Sequence, residues 1–142
     1  MDQDSLLAIH THSQDATISL PWPPVPVYVE LDKRFVGDRV TSYGGSLRFR
    51  VEEEGGTELG RDVLLKFPLV RLYTRNIVLE YFEHAPVING THSVRFHESL
   101  WSVRGHGMAS RSALMLALRR LDKILIRVTT RAPTHQEHVH AL

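Results

Sequence analysis

The chain has 142 residues, with 17 basic against 16 acidic side chains and a formal net charge of +1 when histidine is neutral. At 42% hydrophobic and 23% charged it is composed like one globular domain, long enough to bury about two-thirds of its unfolded surface without staples. The near-neutral balance excludes a general field for nucleic acid or an anionic membrane surface. No segment is apolar for long enough to span a bilayer. The start "MDQDSLLAIHTHSQD" lacks the basic opening and apolar core of a signal peptide, so a secreted form of this chain is expected to be a piece of something larger. Cysteine is absent, which taken alone favours a reducing compartment.

Residues 1–24 are loosely patterned and are expected to be an extended lead-in with room for a first strand. "LPWPPVPV" removes backbone donors four times in six residues and predicts a stiff, extended path. The domain proper is expected over 25–142. Val25, Val27, Val29 and Leu31 alternate as a half-buried strand, and Leu47, Phe49 and Val51 do the same between exposed Ser46, Arg48 and Arg50. Arginines that alternate in this way mark solvated strand faces rather than a basic patch. Glu52 to Glu54 and the glycines after them predict a solvated turn.

"DVLLKF" and "LVRLYT" predict short strands parted by Pro68, "NIVLEYFEH" a strand with Ile77, Leu79 and Tyr81 on one side, and "HSVRFHESLW" a strand with Val94 and Phe96 inward. The period then changes. Leu114, Ala117, Leu118 and Leu121 fall at helical spacing over residues 110–121, with Ser110 or Ser112 as N-cap and Arg119 and Arg120 at the C-terminal end. "KILIRVTT" is a final core strand, and the tail has room for one more. About seven or eight strands with a single late helix predict an all-β, antiparallel, jelly-roll-like sandwich. Leu47, Phe49, Leu79, Leu114, Leu118, Leu121, Ile124 and Ile126 are its expected core.

Catalytic and metal chemistry find little support in these patterns. Gly44 and Gly45 run into a strand, whereas a phosphate cradle needs a helix there. His10/His12 and His138/His140, with His135 nearby, have spacing that puts paired rings on one strand face, but structural zinc usually recruits cysteine and none exists. No Gly-x-Ser-x-Gly elbow and no distinctive acid pair occurs. Trp101 and Tyr43 are the aromatics that could stack on a sugar, against the plainer reading of packing at strand ends. "NGT" at Asn89 is a glycosylation sequon in an expected turn.

Two separated segments carry a resemblance. "VYVELDKRFVGDRVTSYGGSLRFRV" is similar to the opening of a laminin IV type A domain, in which Phe-Leu-Gly-Asp/Asn-Lys/Arg precedes Ser-Tyr-Gly-Gly and an alternating strand. Phe35, Gly37, Asp38, Arg39, Ser42, Tyr43, Gly44 and Gly45 fall on those positions. "ESLWSVRGHGMASRSALMLALRRLDKILIRVTT" resembles the family's Glu-x-x-Trp segment, its Ser-Arg-led helix and the strand after it, through Glu98, Trp101, Ser110, Arg111, Leu114, Met115, Leu118, Leu121 and residues 124–127. The match runs over residues 25–130. Val29 and Val36 depart from it, as does the tail after Arg131.

The resemblance implies a β-sandwich inserted between cysteine-rich modules of laminin α chains and perlecan-like matrix proteins, with the disulfides in those neighbours. It implies a structural, non-enzymatic, extracellular basement-membrane module without cofactor or metal. Phe35, Gly37, Asp38, Tyr43, Gly44, Gly45, Trp101, Arg111 and Arg127 are then its structural signature. The expected parent is a secreted laminin α-like subunit, glycosylated at Asn89, and the alternative is a carbohydrate-binding module. Expected partners are other matrix proteins and flanking modules. Sulfated glycosaminoglycan could meet the surface arginines, but a net charge of +1 argues against it, and neither nucleic acid nor membrane insertion is expected.

Overall fold

The computed structural model describes residues 4–11, 16–18, 26–53, 57–58, 61–84, 90–128, 131–132 and 139–141. In chain order the strands are β1 (Asp4–Thr11), β2 (Ala16–Ile18), β3 (Tyr28–Glu30), β4 (Ser46–Glu53) and β5 (Thr57–Glu58). Helix α1 (Arg61–Lys66) precedes β6 (Val70–Tyr73), β7 (Val78–Tyr81), β8 (Gly90–Arg95), β9 (Ser102–Val103) and β10 (Gly107–Met108). Helix α2 (Arg111–Arg119), β11 (Lys123–Arg127), β12 (Arg131–Ala132) and β13 (Val139–Ala141) complete the chain.

The larger sheet has six strands in the order β10-β9-β7-β6-β11-β3, and all its pairings are antiparallel. The smaller sheet is β1-β4-β8. Short pairs β12-β5 and β13-β2 are separate from both. This is the all-β sandwich expected from the alternating segments, with one departure: β1 pairs with β4 in parallel, from Asp4 beside Ser46 to Thr11 beside Glu53.

Side-chain period builds the layer between the sheets. Leu47, Phe49 and Val51 of β4 point inward with Val94 of β8, and they meet Val70, Leu72, Leu79, Ile124 and Ile126 from the large sheet. Burying each such side chain contributes about 1.5–3 kcal/mol of transfer free energy. Leu114, Ala117 and Leu118 add the apolar stripe of α2 to the same cluster, and Leu121, expected at the end of the helix, joins it from just beyond α2, where it bridges to Gly37. Ser110 starts that helix: its Oγ accepts from Ala113 N at 3.0 Å, the hydrogen bond an N-cap serine makes.

The expected core is buried throughout, but two element assignments change. "DVLLKF" is largely α1 rather than a strand, so α2 is not the lone helix. Six residues are too few for period to separate helix from strand, and the partner that closes this helix lies far along the chain. Glu52 and Glu53 continue β4 instead of opening a turn. Among the described residues no helix is long and apolar enough to cross a membrane.

Candidate functional site

The two signature segments meet in space. In the first, Asp32 accepts from Arg34 N at 2.9 Å and starts a 3₁₀ turn that buries Phe35. Gly37 follows with φ 95°, a conformation open to glycine because no Cβ crowds the backbone. That turn lets Gly37 exchange two backbone hydrogen bonds with Leu121, at 2.9 and 3.0 Å, just beyond α2. Arg39 N then donates to Leu118 O at 2.6 Å, satisfying a carbonyl near the helix C-terminus. Asp38 accepts from Val40 N at 3.2 Å and opens a second short turn.

Tyr43 is the hinge-pin of the junction. Its hydroxyl donates to Glu98 Oε1, the Arg111 guanidinium sits 5.2 Å over its ring, and the His97 ring stacks at 6.4 Å. The hydrogen bond pushes the Tyr43 hydroxyl pKa up and the Glu98 carboxyl down, since it stabilises the protonated phenol and the ionised acid together. Gly44, with φ 87°, donates to Phe96 O at 3.0 Å, and Phe96 N donates to Gly45 O at 2.8 Å. Gly45 is buried but has no positive φ, so of the glycine pair only Gly44 needs the special backbone geometry.

Trp101 lies inside this corner, 2% exposed, with Nε1 donating to Arg95 O at 3.0 Å and its ring packed on Phe96 and Tyr81 at 6.0 and 5.8 Å. Such a side chain cannot present a face to a sugar. Tyr43 is also committed, its ring already covered by Arg111. The aromatic platform that would favour a carbohydrate-binding module is therefore absent at both expected positions.

Arg127, the remaining signature residue, organises a second cluster. It is 1% exposed, and Nη1 donates to Leu64 O and Phe67 O, each at 2.9 Å, at the C-terminal end of α1. Nη2 donates to Glu83 Oε1 in a buried ion pair. Glu83 Oε2 lies 3.8 Å from His92 Nδ1, and the His92 ring stacks on Phe49 at 5.0 Å. Burial lowers the His92 pKa, assisted by Arg127 and opposed by Glu83. Arg127 thus ties α1 and β11 to the segment after β7, while Glu83 carries the tie to β8 in the opposite sheet.

Glu83 and His92 escaped sequence reasoning. The signal for His92 was its spacing, because His92, Val94 and Phe96 share one strand face and the latter two were expected to point inward. Asn89, His12, His135 and His138 lie outside the described residues. His10 and His140 occupy β1 and β13, and among the described residues no group of three or more His, Cys, Asp or Glu could hold a metal ion. Most of the polar groups named in these clusters bond within the fold, which favours a structural role, although Arg127 Nε is buried without a partner among the described residues and a cleft of about 240 Å³ opens beside Glu83 and His92.

Comparison with known proteins places the chain in a family. The model of the family described as Laminin B (Domain IV) matches residues 28–141. The chain belongs to the laminin B (domain IV) family. The match runs past residue 130, where the sequence resemblance stopped, and so takes in the atypical tail.

The domain is 33% identical over 137 residues to the mouse basement membrane-specific heparan sulfate proteoglycan core protein, covering 86% of this chain and 4% of that one. It is 30% identical over 108 residues to the basement membrane proteoglycan of Caenorhabditis elegans, covering 72% of this chain and 3% of that one. The chain spans a small fraction of the curated relatives it matches. Among solved structures, the L4b domain of human laminin alpha-2 superposes with a TM-score of 0.67 at 22% identity, over 84% of this chain and 72% of the other, which establishes the shared fold. As a laminin domain IV with basement-membrane relatives, this is an extracellular-matrix structural module.

Proposed function

We propose that this domain is a non-enzymatic spacer within a secreted, multidomain basement-membrane protein, whose disulfides lie in the modules that flank it. The observation that supports this best is the junction of the two signature segments. Tyr43, Glu98, Arg111, Gly37 and Leu121 satisfy each other and close the domain into one unit. A domain built this way transmits position and tension between neighbours, and its partners are those neighbours and other matrix proteins.

The parent is proposed to be proteoglycan-like rather than the laminin α-like subunit expected from sequence. What supports this is 33% and 30% identity to the two basement-membrane proteoglycans. In this reading the folded unit also begins upstream of residue 25, because β1 extends the small sheet along the whole length of β4.

A hydrolase panel run alongside an array of neutral glycans tests the proposal. The expected result is no turnover and no saturable neutral-sugar binding. A saturable hit abolished by changing one exposed aromatic, or turnover of any substrate, would overturn it.

A further inference from the structure

A cleft of about 260 Å³ opens between two tight turns at one end of the six-stranded sheet. Thr74, Arg75, Asn76 and Ile77 line one wall, and Arg104 and His106 the other. Arg75, Asn76, Arg104 and His106 are all exposed, and no acidic side chain is among the described residues that line the cleft. The net charge of the chain conceals this local excess of cationic donors.

The turns are preorganised. Thr74 Oγ1 accepts from Asn76 N and Ile77 N at 3.3 and 3.2 Å, while Thr74 N donates to Ile77 O at 3.0 Å. Opposite, His106 N donates to Val103 O at 2.9 Å across Gly105, whose φ is 82°. Arg104 N donates to Val78 O at 2.9 Å and fixes one wall against the other.

We propose that this cleft binds the sulfate or carboxylate groups of an acidic matrix polysaccharide. This deepens the matrix reading above and rests on it. Guanidinium forks match oxyanions with paired donors, and Asn76 can serve a neighbouring ring hydroxyl. An acidic peptide fits less well, because the backbone N–H groups of Thr74, Asn76, Ile77, Arg104 and His106 are already bonded within and between the turns and are not open to an added strand.

The test is an NMR titration of the 142-residue chain with a heparin hexasaccharide at low ionic strength, with fully desulfated heparin and a poly-glutamate peptide in parallel. Amide shifts at residues 74–77 and 103–106 are expected, weakening with salt. Arg75→Ser/Arg104→Ser should lower heparin affinity by about tenfold or more at unchanged Tm, as loss of two charge-assisted contacts requires. Arg48→Ser/Arg95→Ser, on the exposed face of the small sheet, should leave affinity unchanged.

Retained binding by desulfated heparin would assign the carboxylates as the recognised groups, and its loss would assign the sulfates. The proposal is overturned if Arg75→Ser/Arg104→Ser binds normally, if the Arg48/Arg95 variant loses binding instead, or if poly-glutamate binds as well as heparin. None of these outcomes bears on the spacer reading, which fails on turnover or neutral-sugar binding.

Discussion

The Tyr43 hydroxyl donates to Glu98 across 55 residues of chain, joining the signature loop to the segment that leads into α2. Because this bond holds the Glu98 pKa down, the folded state binds its proton less readily than the unfolded chain does. The stabilisation is full above the ordinary carboxylate value of about 4.3 and is lost as pH falls through the folded value. Tyr43→Phe should move the Glu98 titration upward and lower Tm near neutral pH while shrinking that loss in acid. A carboxyl-detected NMR titration of both proteins checks the shift, and an unchanged Glu98 curve would mean that the bond does not form in solution.

The buried pair predicts a larger effect. Arg127→Met leaves Glu83 charged without its cation and strips the donor from Leu64 O and Phe67 O. Removing one partner of a buried pair typically costs about 3–5 kcal/mol. Glu83→Gln should cost less, since its amide oxygen can still accept from Arg127. Urea denaturation of the two variants gives the order, and a silent Arg127→Met would show that the cluster adds nothing.

His92 supplies a second pH dependence, in a different window. Its folded pKa lies below the unfolded value of about 6.5, so the unfolded chain takes up the proton first and stability falls as pH drops through that region. The charged or titratable groups acting on His92 are Glu83 and Arg127. His92→Phe keeps a ring against Phe49 and removes the titration. Plots of unfolding free energy against pH should then flatten below about 6.5 relative to the parent, and parallel plots would exclude His92 as the source.

Asn89 should carry an N-linked glycan when the parent passes through its own secretory pathway. Asn89 immediately precedes β8, and the other two sequon residues, Gly90 and Thr91, open that strand, paired with Val51 and Arg50. Peptide mass spectrometry after glycosidase treatment in labelled water reads the occupancy. A wholly unmodified Asn89 peptide would contradict it; the turn expected from Asn-Gly does not include Gly90, which is already in β8.

Much of this architecture was legible because period and burial agree. Leu47, Phe49 and Val51 alternate, Leu114 and Leu118 recur at helical spacing, and all are buried. Local sequence said less where a distant residue decides the outcome. Helix α1 ends on carbonyls satisfied by Arg127, some 60 residues on, and no pattern within "DVLLKF" announces that partner. Glu83 gave no signal in the sequence for the same reason, since its burial depends on a guanidinium from β11. The signature residues were found as a pattern, whereas their pairing of Tyr43 with Glu98 and Gly37 with Leu121 emerges only when the loop folds over α2.

Bonded in this way, the loop should be a fixed structural closure rather than a mobile binding element. Native-state hydrogen exchange measures that most directly, at the amides of Gly37, Arg39, Gly44, Phe96 and Leu121, whose acceptors lie across the junction. A locked junction predicts that these amides exchange only through global unfolding, with one shared free energy and one shared denaturant dependence. Fast exchange at Gly37, Arg39 and Gly44, insensitive to denaturant while the core amides stay protected, would contradict it.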